Sequence, residues 1–127
     1  MAEIDYRDPR PIYEQLAGVF ESLILSGALE KGSQMPSVRD TAARFSVNPN
    51  TVQKAFSKLE EDGFIYAVKG RGNFVAEKEP ILLKKQELFL NEFKKTVSKG
   101  KELSVSEETM EKALHEEFKT GGIKDND

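Results

Sequence analysis

Residues 46–54, Ser46 to Lys54, read "SVNPNTVQK", and two helical apolar patterns meet there across two asparagines and a proline. Upstream, Ser37 offers a helix N-cap with Asp40 three residues on, and Val38, Ala42 and Phe45 form a short apolar stripe. Thr41 shares that inner face as its one polar member and is expected to bond back to a carbonyl of the previous turn. Ser46 and Val47 then make a tight turn with Val47 pointing inward. Asn48 is the next N-cap, and Pro49 takes the first helical position, where a missing N–H costs nothing. In the helix that follows, Val52, Ala55, Phe56 and Leu59 fall on one side. Asn50, Gln53, Lys54 and Ser57 fall on the opposite side at i, i+3, i+4, i+7. The pattern runs to about Asp62, with Gly63 supplying a left-handed exit.

Working outward, Pro11 is placed to start an earlier helix whose apolar residues Ile12, Leu16, Val19, Phe20, Leu23 and Ile24 recur at helical spacing until Ser26-Gly27. "LEKGSQMPS" reads as loop. After Gly63, "FIYAV" and "NFVAE" are short strands joined by Lys69-Gly70-Arg71-Gly72, a hairpin with a basic, glycine-rich tip. Composition shifts near Glu79-Pro80, where a long amphipathic helix carries Leu82, Phe89, Leu90, Phe93 and Val97 until Ser98-Lys99-Gly100. Ser104 or Ser106 caps a second helix bearing Met110, Ala113, Leu114 and Phe118, terminated by Gly121-Gly122 ahead of a frayed "IKDND" tail. The expected fold is mainly α with a small β wing: a winged helix-turn-helix over residues 1–78, then a two-helix dimerisation extension over 79–127.

Composition narrows the function. With 38% hydrophobic and 32% charged residues in 127, the chain reads as a globular protein with one modest core. No apolar run approaches the roughly 20 residues that cross a bilayer. The start, "MAEIDYRDPRP", lacks the basic-then-apolar order of a signal peptide, so no export or membrane partner is expected. Zero cysteines exclude disulfides and thiolate metal sites and fit a cytoplasmic protein. His115 shares a helix face with Glu108 and Glu111, which reads as a solvated acidic face rather than a metal site. Gly70-x-Gly72 lacks the flanking pattern of a phosphate cradle and reads as a hairpin turn. No nucleophile-base arrangement stands out, so neither an enzyme nor a cofactor is expected.

The net charge of −3 runs against the basic footprint of a nucleic-acid binder, but its distribution does not. Residues 31–78 hold eight Lys/Arg against five Asp/Glu, whereas both flanks are acidic. A helix that reads base edges carries amides or long cations on its first outward positions, and Asn50, Gln53 and Lys54 are such residues. A neutral cap such as Asn48 also leaves the helix N-terminus able to attract phosphate. The proline and asparagines of the opening stretch therefore start a helix whose first turns suit DNA.

"MPSVRDTAARFSVNPNTVQKAFSKLEEDGFIYAVKGRGNFV" resembles the DNA-binding domain of the GntR family of bacterial transcription regulators, over roughly residues 10 to 77. The P-S-x-R, N-x-x-T-V, L-x-x-x-G and G-x-G-x-F-V elements carry the likeness. The short two-helix extension is similar to the YtrA branch, in which the C-terminal part dimerises and is too small for a dedicated effector domain. The resemblance implies DNA contacts by Arg39 on the second helix, by Asn50, Thr51 and Gln53 on the recognition helix, and by Gly70 with Lys69 and Arg71 at the minor groove. Ser37, Asn48 and Lys54 complete the expected contact set. It also implies a homodimer on a two-fold-symmetric double-stranded operator, acting as a repressor, any small-molecule effector being unknown. Pro49 and Gln53 stand where several relatives carry arginine, so those relatives' base preference does not transfer. Met35 and Thr41 occupy seats where leucine is commoner, a matter of packing.

Blander readings stand beside these. An exposed polar stripe alone is a solvated helix face, and Arg39 alone could pair with Asp40 or Glu60. Leu88 and Ile81 lie off the main stripe of the long helix, exposed in a monomer and covered in a dimer. The alternative function is a protein-interaction module that keeps the winged-helix fold without reading DNA.

Overall fold

The computed structural model describes residues 4–120 as five helices and a two-stranded hairpin: α1 (Ile12–Ser26), α2 (Val38–Phe45), α3 (Pro49–Glu61), β1 (Ile65–Val68), β2 (Gly72–Val75), α4 (Lys78–Glu102) and α5 (Glu107–Lys119). The expected frayed tail and the Gly121-Gly122 stop lie outside the described residues. The chain divides into two compact units, one ending at Lys84 and one starting at Lys85.

In the first unit the core forms where the apolar stripes of α1 and α3 meet the inner residues of the hairpin. Leu16, Ala17, Val52, Ala55 and Leu59 are wholly buried, closed over by Phe56, Phe64, Ile65 and Val75. Phe20 of α1 lies edge-to-face on Phe56 of α3, ring centroids 5.6 Å apart, the arrangement that the quadrupoles of two aromatic rings favour. Local chemistry sets the helix limits. Ser37 Oγ accepts the Asp40 amide at 2.9 Å, and Gly27 and Gly63 take left-handed conformations at the ends of α1 and α3. Pro11 is the N-cap of α1 with extended backbone, one residue ahead of the position expected for it, and α1 opens at Ile12.

β1 and β2 are antiparallel, Ile65 facing Val75 and Val68 facing Gly72, with Lys69, Gly70 and Arg71 as the turn. Residues 32–35, read as loop from the sequence, run along the outer edge of β2. The Gly32 and Met35 amides donate to the Val75 and Asn73 carbonyls at 2.8 Å, and the Val75 amide donates to Ser33 O at 2.9 Å. Sequence patterning missed this edge because its hydrogen bonds come from the backbone of a Gly/Ser/Pro-containing stretch with no alternation of apolar residues.

Two expectations fail in the core. Thr41 Oγ1 is buried without a hydrogen-bond partner, so it does not bond back to a helix carbonyl. Ile81, expected to be exposed in a monomer, is 8% exposed and belongs to the core of the first unit. The opening turn of α4 sits on this unit, where Lys78 Nζ donates to Leu25 O at 3.2 Å at the end of α1.

The second unit is a helical hairpin of the rest of α4 and α5. α4 does not stop at Gly100 but continues to Glu102, and Gly100 makes room for Met110: a β-carbon there would lie 2.7 Å from Met110 Cε. Ser104 takes a left-handed conformation (φ 64°), and Ser106, of the two serines considered, caps α5 by accepting the Thr109 amide. Among the described residues of this unit none is buried within the single chain.

Two stability tests follow. Thr41→Val keeps the shape and removes an unsatisfied hydroxyl, so urea unfolding should show a gain of about 1 kcal/mol or more. A fragment ending at Lys84 should melt as one cooperative unit. Ending it at Lys78 removes buried Ile81 and should cost about 1.5–3 kcal/mol relative to the longer fragment in the same assay.

Candidate nucleic-acid interface

The outward face of α3 follows from how the helix is held. Its inner stripe is 0–2% exposed, which fixes rotation about its axis and turns Asn50, Gln53, Lys54 and Ser57 to solvent. The start is as well defined as the rotation. Ser46 takes a left-handed conformation (φ 57°), the Val47 amide donates to Ala42 O at 3.1 Å, and Asn48 Oδ1 accepts the Asn50 amide at 2.7 Å. Pro49 occupies the first turn, and no acidic residue stands there, so the positive end of the helix is left uncompensated.

Of the residues singled out from the sequence, Ser37, Arg39, Asn48, Asn50, Gln53, Lys54, Lys69, Gly70 and Arg71 are exposed, and Thr51 is half-buried. Ser37 Oγ and Asn48 Oδ1 are already used as caps, which limits what each can still offer a ligand. Arg39, Lys69 and Arg71 form no ion pair among the described residues, so Arg39 is not tied to Asp40 or Glu60. Lys58, farther along α3, is tied differently. It pairs with Asp62 at 3.2 Å, and that hydrogen bond raises its pKa and holds the charge away from the helix start.

Two features of the site escaped the sequence reading. Lys54 Nζ lies 4.6 Å from the centroid of the Tyr13 ring on α1, a cation–π contact that fixes where this cation waits. Gln34 is the other. Its Nε2 donates to Arg71 O at 2.7 Å, holding the wing tip against the 32–35 edge. Gly72 makes room for it, since at φ 109° a β-carbon would come within 3.1 Å of Gln34 Nε2. Both are tertiary contacts between residues far apart in the chain, for which spacing gives no signal. Behind the tip, Tyr66 and Phe74 stack across the hairpin at 6.0 Å and stiffen it. No group of three or more metal-ligating side chains occurs among the described residues.

Capped helix, tight turn, second helix with a free polar face and basic hairpin make a winged helix-turn-helix, and a profile described as "Bacterial regulatory proteins, gntR family" matches residues 12–75. The chain belongs to the GntR family. It is 43% identical over 77 residues to the HTH-type transcriptional repressor YtrA of Bacillus subtilis, covering 61% of this chain but 59% of the repressor. The uncharacterized HTH-type transcriptional regulator YhcF of the same organism is 33% identical over 118 residues, 92% of this chain and 97% of YhcF. Among solved structures, a transcriptional regulator from Oenococcus oeni superposes with a TM-score of 0.73 at 28% identity, over 86% of this chain and 92% of that one. The DNA-binding domain of AraR, solved in complex with operator ORX1, superposes at 0.54 with 29% identity over 58% of this chain and 95% of its own. GntR proteins are transcription regulators rather than enzymes.

The Gln34 clamp can be tested alone. Gln34→Ala should leave the fold intact and cost about 0.5–1.5 kcal/mol. NMR shift changes should concentrate at residues 69–73, with faster exchange of the Met35 amide.

Proposed function

We propose that this GntR regulator is a repressor that binds a two-fold-symmetric operator as a homodimer in the bacterial cytoplasm. The observation that carries it is the recognition helix: an exposed amide pair, Asn50 and Gln53, on a helix whose start is capped by Asn48 and whose rotation is fixed by a buried stripe. Asn and Gln side chains can each make two hydrogen bonds to adenine in the major groove. Arg39, Lys69 and Arg71 lie unpaired among the described residues and suit phosphate or the minor groove. The AraR complex with its operator and the repressor function named for the Bacillus subtilis relative support this reading.

Residues up to Lys84 are the DNA-binding part and those from Lys85 the dimerisation part. In the second unit Leu88, Phe89, Leu90 and Phe118 are each more than half exposed, with Phe93 and Leu114 at 41% and 42%. Phe89 and Phe93 already stack on each other, 6.2 Å apart, one turn along α4. Val97 and Met110 are half-buried within this unit, and Leu82 lies half-buried at the end of the first. Such a concentration of apolar surface in so small a unit is what an obligate helical interface needs. Two linked half-site contacts bind far more tightly than one, because the second becomes intramolecular and raises affinity by about 10²–10⁴.

Titrations on the promoter DNA upstream of the gene separate the parts. Gln53→Ala should cost about 1–3 kcal/mol on the cognate site and little on random DNA. Lys69→Ala should weaken both and reduce the salt slope by about one charge. Equal losses on cognate and random DNA would remove Gln53 from base readout, and no salt-dependent binding to any DNA would favour a protein-interaction module.

For the interface, Leu90→Glu should sediment as a monomer and bind the full operator as weakly as a half-site. Operator affinity unchanged in that monomer would mean the second unit serves another purpose.

A further inference from the structure

A cavity of about 960 Å³ opens between α1 and α2, on the first unit, and the DNA-binding reading leaves it unused. Val19, Phe20 and Leu23 of α1 and Phe45 of α2 give it apolar walls. Apart from Tyr6 of the N-terminal segment, its polar residues come from α2 and the turn beyond it, and three of them, Asp40, Thr41 and Arg44, lie within little more than one helical turn. Asp and Arg four residues apart on a helix are neighbours that can pair with each other. Here neither side chain forms an ion pair among the described residues, so neither charge of these two cavity residues is already taken up by a partner side chain. Thr41 is part of the cavity wall, but it is 2% exposed and its hydroxyl, which has no hydrogen-bond partner, is closed off from the cavity.

We propose that this cavity is a binding site for a small apolar zwitterion, of the chemical class of the hydrophobic α-amino acids. The apolar body lies against Phe20 and Phe45. The ammonium group meets Asp40 and the carboxylate meets Arg44. A cavity of this volume, mainly apolar with a few convergent polar groups, has the character of a small-molecule site.

The wall is one aromatic contact from the recognition helix. Phe20 lies tilted against Phe45, ring centroids 6.3 Å apart, and edge-to-face at 5.6 Å on Phe56 of α3, and α2 leads into α3 through the Ser46–Val47 turn. A ligand that moves Phe20 or Phe45 therefore bears on the angle at which α3 is presented. This regulatory consequence rests on the DNA-binding reading, whereas the binding site itself does not.

The test begins without DNA, by calorimetry on the full-length chain with L-phenylalanine and L-leucine at up to millimolar concentration. Controls are 3-phenylpropionate and phenethylamine, each lacking one charge, and glycine, lacking the body. At least one of the two amino acids should bind once per chain, and every control should bind about ten-fold more weakly or worse. Asp40→Asn and Arg44→Gln, both at exposed positions, should lower affinity by about ten-fold while the chain still melts as a folded protein. Absence of binding by both amino acids, controls that bind equally well, or variants that bind like the native chain would each overturn the proposal. A second titration measures promoter-DNA affinity with and without the bound amino acid, where a change of several-fold is expected. Ligand binding with unchanged DNA affinity would overturn the regulatory role and leave the site. A chain that binds the amino acid but no DNA would count against the DNA-binding reading alone.

Discussion

Burial of the inner stripe of α3 is the constraint on which the rest depends. Val52, Ala55, Phe56 and Leu59 are held between α1 and the hairpin, and Phe56 is locked edge-to-face by Phe20. Close packing of this kind tolerates little rotation or translation of the helix. The outward residues thereby acquire fixed directions. The same core fixes the wing, because Phe64, Ile65 and Val75 belong to it and carry the hairpin on their backbone.

Electrostatics is arranged locally rather than globally. The chain is net acidic, yet the start of α3 has no carboxylate in its first turn, and the nearest ion pair on that helix, Lys58–Asp62, lies at its far end. A net-acidic protein gains little unspecific attraction to polyanions, since only charges within a Debye length of about 8–10 Å act strongly and the local excess of positive charge is small. Discrimination is then left to short-range hydrogen bonds rather than to the general field. Lys54, parked over Tyr13, fits that economy: its charge is positioned by an aromatic face instead of a carboxylate that would cancel it.

What the sequence made legible is what local chemistry decides. Ser37, Asn48 and Pro49 start helices because cap geometry involves only the next two or three residues, and Gly27 and Gly63 end them because a single left-handed residue suffices. The amphipathic periods of α1, α3, α4 and α5 were readable for the same reason. Contacts between distant residues were not. Gln34 holding Arg71 O, Ile81 entering the first core and Met110 over Gly100 depend on which elements meet, and Gly100 looked like a stop only until its neighbour was known. Thr41 was legible as a misfit, but its hydroxyl could be read as satisfied or orphaned only once the surrounding carbonyls had positions. Direction was the legible part of the recognition helix: period alone separated Gln53 from Phe56.

The second unit lacks any buried residue among those described, and this bears on how the protein responds to its own abundance. A helical hairpin that completes its core only across a partner has no stable folded form of its own, so its folding equilibrium contains the protein concentration. On the dimer reading, occupancy of a two-fold site falls faster than in proportion when the chain becomes scarce, which sharpens the boundary between a silent and an expressed gene. An unpartnered chain would also display Phe89 and Phe118 to the machinery that recognises exposed apolar surface, and would be cleared sooner than its paired counterpart. On that reading the bare face of α4 and α5 is a timer as well as a seam.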